Sequence, residues 1–361
     1  MKIDPQRAFS FVRSDRFGPI GIELALERLH MVQVRNTATG PRIHACASLP
    51  VDVQQDALLQ RPDALRELIR DGRRSHGFHG DQAVAAMPAS QIRVMPVSYQ
   101  RRDAQSDGAA IAALLRERLG DELDHLVADY MPVQVLRESG GERLALVAVS
   151  RREAVLNFLD GLTGAGLDAT ALEIGPIAIR RLVEVLLRDL PPQNTLILNC
   201  GRHKSFVTLI ADNRLLADDE LEFGEETLLQ ALETELELER PLVEQVVRDA
   251  NLDKTALGNS RDAAAESNRA LIQILRPQLN RLVEDLQRHL LYASSESTGA
   301  RLSRVYLLGS FARWAGSDRL LESLLGVPVG TMPNPVALFS DTGFEAGPEL
   351  AVATGLALKA A

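Results

Sequence analysis

The chain has 361 residues, 45% hydrophobic and 25% charged, with a formal net charge of -9, which is ordinary globular composition with room for two cores or one bilobed unit and excludes a disordered chain. Net acidity, 4% aromatic content and a single tryptophan, Trp314, argue against nucleic-acid binding and against polybasic attachment to a membrane. Two cysteines, Cys46 and Cys200, build neither a disulfide framework nor a four-thiolate zinc site, and no run of about 18 uncharged apolar residues is present, so a cytoplasmic chain without direct membrane insertion is expected.

In chain order, residues 1–18 read as a tail. The pattern then gives a strand at 20–24, a second at 29–34, a turn at 36–41 and a third strand at 42–49, because short β-branched runs alternate with turn residues. The same pattern returns at 195–199, 205–210 and 215 onward. Superposing Glu23 on Asn199 aligns the two, and each is followed by helix-forming sequence, as in a duplicated meander-plus-helix unit. Between them, 105–124 has helical spacing (Ala109, Ile111, Leu114, Leu115, Leu119), 144–149 is a buried strand and 151–166 a further helix, so 86–170 reads as a small inserted α/β subdomain.

After the second copy, 225–239 is helical, and 263–295 is a longer helix with Leu271, Leu275, Leu279, Leu282, Leu286 and Leu290 on one stripe and a kink expected at Pro277. The chain closes with a strand at 305–308, Gly309, a helix to Leu325, a Pro-rich stretch at 327–335 and a small-residue helix at 348–359. The resulting division is 19–85 as first lobe, completed by 348–361; 86–170 inserted; 171–224, 225–300 and 301–347 as second lobe. His76 and His79 with Asp81 do not complete a metal site, and Cys200 is a core filler.

Several segments taken in order carry a family resemblance: 21–32 as an opening phosphate loop, 87–90 at the end of a first subdomain, Asp129-Tyr130 opening a strand of the insertion, 171–178 leading back to the core, 286–292 as an Arg-containing helix ending in Tyr292, and 307–309 with 348–359 as adenosine loop and closing helix. The chain thus resembles the PilM family of type IV pilus assembly proteins, relatives of FtsA; the pattern does not separate PilM from its MshI-type relative. The resemblance implies an α/β actin-like fold, the duplicated ribonuclease H-like bilobed form. It also implies a cytoplasmic scaffold recruited to the inner membrane by the tail of a PilN-like bitopic protein, with other pilus platform proteins as further candidate partners.

Actin-like ATPases hold phosphate with backbone N–H groups and Mg²⁺ with acids. Carried onto this sequence, the family's first-loop Asp is Glu23, its Gly is Ala25, its small hydroxyl positions are Leu26, Glu27 and Arg28, and its Lys is His30. The second-loop Asp is Asn199, Gly201 is retained, and Lys204 replaces a Thr; the connecting acid is Gly175. The adenosine loop keeps Gly309, followed by Ser310 and Phe311. The expectation is therefore a degenerate cleft with no catalytic residue, no metal and no required cofactor, ATP and Mg²⁺ being disfavoured. Leu26 and Phe311 supply bulk, Glu27 repulsion, and a Glu23–Lys204 ion pair worth about 0 to 1 kcal/mol spans the loops. The alternatives are a divergent ATPase or kinase of the actin-like superfamily, and an FtsA-like or secretion-system L-type protein.

Overall fold

The computed structural model describes residues 16–25, 28–51, 55–100, 104–133, 142–186, 194–211, 214–253, 263–296, 302–333, 335 and 347–359. Its first sheet contains β1 (Arg16–Leu24), β2 (Arg28–Thr37), β3 (Gly40–Pro50), β4 (Gln82–Ala86) and β8 (Asp168–Glu173), in the order β3-β2-β1-β4-β8. The first three form an antiparallel meander, and β4 and β8 extend it in parallel. Parallel neighbours need a crossover. Between β3 and β4 it is supplied by α1 (Gln55–Leu59) and α2 (Pro62–Ser75), where Leu65, Ile69 and Gly72 recur at helical spacing and are buried.

The second sheet repeats the plan. β9 (Thr195–Cys200), β10 (Ser205–Ala211), β11 (Arg214–Leu221), β12 (Arg304–Gly309) and β13 (Val329–Thr331) lie in the order β11-β10-β9-β12-β13, again an antiparallel meander followed by two parallel strands. Glu23 and Asn199 each sit one residue before the end of their central strand. The second sheet is covered by α6 (Glu225–Leu236), α7 (Arg240–Asp249), α8 (Ala263–Glu296) and α9 (Ser317–Leu325). The helix expected at 225–239 ends earlier, because Glu237 turns left-handed at φ 52°, and Pro241 opens α7. α8 runs through Pro277 as one helix, with Leu271, Leu275, Leu279, Leu282 and Leu286 in the core; the Leu290 side chain lies outside the described residues.

A third, three-stranded sheet, β5 (Ile92–Gln100), β7 (Glu142–Arg151) and β6 (Leu126–Val133) in the order β5-β7-β6, is antiparallel throughout and backed by α3 (Asp107–Leu119). Ser106 caps α3 by accepting the Ala109 N–H at 3.2 Å. The insertion is therefore narrower than 86–170. α4 (Arg152–Gly164) lies on α2 and puts Phe158 and Leu162 into the core of the first sheet, while β8 pairs with β4. Apolar spacing in 151–166 shows that a face is buried, without saying against which sheet. At the other end, residues 16–18 belong to β1 rather than to a tail, and Asp129 lies within β6 rather than opening it.

The lobes meet through α5 (Gly175–Leu186) and α10 (Ala351–Ala357). A Cβ on Gly21 of β1 would lie 2.1 Å from the Ala353 carbonyl oxygen, and one on Gly355 would lie 2.0 Å from that of Ala178. Backbone thus approaches backbone where no methyl fits. A charged clamp holds the same junction: the Glu173 carboxylate accepts from Arg181 Nη2 at 2.9 Å and from Lys359 Nζ at 2.7 Å, and Arg181 Nη1 donates to Gly355 O at 2.7 Å. Gly355→Ala is expected to destabilise the protein by about 3 kcal/mol, the upper part of the range for overpacking. Gly330→Ala, where only the Arg304 guanidinium approaches, at 3.6 Å, should cost less than about 0.5 kcal/mol. Urea unfolding midpoints of the two variants check this.

Candidate functional site

The ends of β1 and β9 open into a cavity of about 650 Å³ lined by both lobes, by β5 and by the start of α5. Most of the residues singled out in the sequence meet there: Glu23, Ala25 and His30 from the first lobe, Gly175 from α5, and Asn199, Gly201, Lys204, Gly309 and Ser310 from the second. Glu27 and Leu26 lie outside the described residues.

Two expectations are corrected. Phe311 does not add bulk to the cleft; it is fully buried in the second-lobe core, its ring 5.4 Å from that of Trp314 at 70°, because the turn after β12 swings it inward. Nor does Lys204 reach Glu23. Its ammonium pairs with Glu220, and with Glu222 at 3.1 Å, since β10 and β11 are antiparallel and carry the acidic end of β11 beside the hairpin. These two acids raise the Lys204 pKa and keep it charged.

Glu23 has no ion-pair partner among the described residues. Its Oε2 is sealed from solvent without a hydrogen-bond partner, and burial pushes its pKa up to about 8. At neutral pH it is chiefly a neutral acid. Opposite it across the β1–β2 ladder is His30, 4% exposed, with Nδ1 also unpartnered. Burial, then the charges of Arg28 and Arg313, push the imidazole down to about 3, so it is neutral as well. Asp218 on β11 accepts the Thr208 hydroxyl at 2.6 Å, and burial raises its pKa to about 7.

The backbone of the second loop is already engaged. Gly201 N–H donates to Lys204 O at 3.1 Å, while the first turn of α6 donates Glu225 N–H to Gly201 O at 2.9 Å and Glu226 N–H to Arg202 O at 2.7 Å. Gly224 permits this contact, because a Cβ there would lie 2.2 Å from Arg202 O. Gly309, at φ 80°, is held against Cys200 O, 2.3 Å from the position of a Cβ, and Ser310 N–H donates to the same carbonyl at 2.9 Å. Cys200 is a buried thiol whose pKa burial pushes up to about 12. Toward an Mg²⁺–phosphate group these residues present a buried acid, an amide at its counterpart position and a lysine already paired with two glutamates, and among the described residues no three His, Cys, Asp or Glu are placed together to hold a metal. His76 and His79 are occupied locally, the first 3.1 Å from Gly72 O through Nδ1 and the second stacked on Phe17.

Sequence reasoning passed over Arg93, Arg313, Asp218 and Glu349, all on the cavity wall, and took Arg28 only as a lost hydroxyl position. Arg28 was findable, since it lies two residues before His30 on one strand and so shares its face. The others converge only through tertiary structure.

The sequence profile of the family described as "Type IV pilus assembly protein PilM" matches residues 21–361. The chain belongs to the PilM family. Among solved structures, it is similar to a PilM–PilN type IV pilus biogenesis complex at 24% identity, covering 94% of this chain and 98% of that one with a TM-score of 0.71. A further likeness is to the ethanolamine utilization protein EutJ from Carboxydothermus hydrogenoformans, at 15% identity, 96% and 90% coverage and a TM-score of 0.56. These likenesses establish the actin-like fold. No curated protein matches the chain in sequence.

The two neutral groups give this PilM family protein opposed pH dependences. Between the ordinary carboxylate value of 4.5 and about 8 the folded state holds a proton on Glu23 that the unfolded state has lost, so this group's contribution to stability falls as pH rises through that window. For His30, between about 3 and 6.5, the unfolded state holds the extra proton, and stability rises with pH. Glu23→Gln should therefore stabilise the protein at pH 8 by about 2 kcal/mol, allowing for the part of the residue open to the cleft. The gain should vanish below pH 4.5, as read from urea midpoints across pH.

Proposed function

We propose that this chain is a non-hydrolysing scaffold of a type IV pilus or MSHA-like assembly platform, which binds the cytoplasmic tail of a PilN-like bitopic inner-membrane protein. The observation that carries this reading is the family match over 21–361, together with near-complete coverage of a PilM–PilN complex at a TM-score of 0.71. Among the described residues no helix is long and apolar enough to cross a membrane, and in this reading a cytoplasmic chain reaches the membrane through its partner. The tail docks as an extended segment between the inserted sheet and the first lobe, by adding to an edge of the inserted sheet, whose edges are β5 and β6.

The pseudo-ATPase reading is supported by the chemistry of the cleft. Glu23 is a poor Mg²⁺ ligand while protonated, Asn199 carries no charge, and the Gly201 N–H and the Lys204 ammonium are taken. The alternative of a divergent ATPase or kinase requires these groups to be rearranged.

Two measurements test the proposal. A PilN-like tail peptide should bind the full chain by isothermal titration, and deletion of residues 92–151 in a protein that still unfolds cooperatively should abolish binding; retained binding would remove the assignment to that groove. Asn199→Asp should leave Mg-ATP turnover at background. Turnover by the unmodified protein that disappears in Glu23→Ala would establish the enzyme instead.

A further inference from the structure

Three buried side-chain polar atoms without a hydrogen-bond partner, Glu23 Oε2, His30 Nδ1 and Glu349 Oε2, all belong to residues on the wall of this interlobe cavity. Such an atom costs about 1–3 kcal/mol when left unsatisfied, so three around one space describe a site whose partner is a ligand or ordered water. The charges decide between them. Arg28, Arg93 and Arg313 line the same cavity, and among the described residues none of them makes an ion pair. The other two cations on the wall are committed, Lys204 to Glu220 and Glu222, and Arg202 to Glu226 at 3.4 Å. Of the acids, Asp218 is bonded to Thr208, and Asp219 lies 3.4 Å from His289.

Arg28 is held in advance. Its Nε donates to Ser48 Oγ at 2.7 Å and its Nη2 to Ser48 O at 2.5 Å, which ties the guanidinium to β3 and leaves Nη1 uncommitted. Arg313 comes from the other lobe, at the end of the short turn that follows Gly309 and Ser310, and both guanidinium charges act on the His30 ring. A neutral imidazole with a free ring nitrogen and two guanidiniums from opposite lobes recognise an oxyanion. At about 650 Å³, the space suits a small molecule rather than a lone ion.

We propose that the cleft binds, without a metal ion, a small phosphorylated or carboxylated molecule whose oxyanion sits between Arg28 and Arg313 against the His30 imidazole. The ligand bridges the lobes through side chains rather than through the glycine-rich backbone loops. This inference rests on the reading that the cleft does not coordinate Mg²⁺–nucleotide.

The test is isothermal titration of the full chain in excess EDTA, with glycerol 3-phosphate as phosphate probe, citrate as carboxylate probe and sodium chloride as control. The expected result is saturable binding of at least one probe, weakened at least tenfold by Arg313→Gln and unchanged by the surface variant Arg319→Gln. Arg313 is exposed, so its substitution leaves folding intact. The His30 imidazole nitrogens, followed by NMR in the same titration, should shift with the same midpoint. Binding of one probe alone identifies the oxyanion, and either carries the proposal. Absence of binding by both probes, binding insensitive to Arg313→Gln, or a His30 signal that does not move overturns it. Mg-ATP turnover is assayed separately: turnover sinks the scaffold-without-hydrolysis reading, whereas failure of the metal-free probes leaves that reading standing.

Discussion

The contact on which the molecule depends is backbone against backbone, where α10 presses Ala353 onto Gly21 of β1 and Gly355 onto Ala178 of α5. Both glycines face carbonyl oxygens at distances that a methyl group cannot share, so the closing helix is seated by the absence of side chains rather than by their packing. The cavity follows from that seating. Pro348, Glu349, Ala351 and Val352, from the start of this segment, form part of its wall beside Glu23 and Gly175. The Glu173–Arg181–Lys359 clamp then ties β8, α5 and the residues just after α10 at a single, mostly buried carboxylate.

Much of the architecture was legible because it repeats. The two meanders share strand order and direction, and the leucine stripe of α8 announces its buried face. β5 was not legible: Pro96 interrupts it, which ordinary strand reasoning counts against a central strand, and it is in fact an edge. β6 shows little alternation, since Val127 through Tyr130 are all exposed. Most of the aligned positions lie on the cavity wall, but two side chains, those of Lys204 and Phe311, go elsewhere. Lys204 turned to Glu220 because strand pairing brings together residues that are distant in sequence, and Phe311 turned inward because the short turn that follows Gly309 and Ser310 carries it into the second-lobe core. Adjacency in an aligned motif does not encode either direction.

The cleft is set apart by what its ionisable groups have lost. An acid and an imidazole stand opposite one another on adjacent strands, both driven toward neutrality by burial, while charge is displaced to arginines and lysine around them. Groups of this kind offer hydrogen bonds and guanidinium geometry. That is compatible with a protein whose work is to hold partners in place.

The position of α10 in the chain has a consequence for biogenesis. The strands that it covers, β1 and β2, leave the ribosome more than 300 residues before residues 351–357 do. During synthesis the first sheet is therefore without the helix that buries Val32, Val34 and Ile43. The second lobe has its five strands and covering helices between residues 195 and 331 and can consolidate first. A nascent chain stalled before α10 would present an apolar sheet face of the kind that chaperones recognise, and completion of the first lobe waits on a contact between segments more than 300 residues apart.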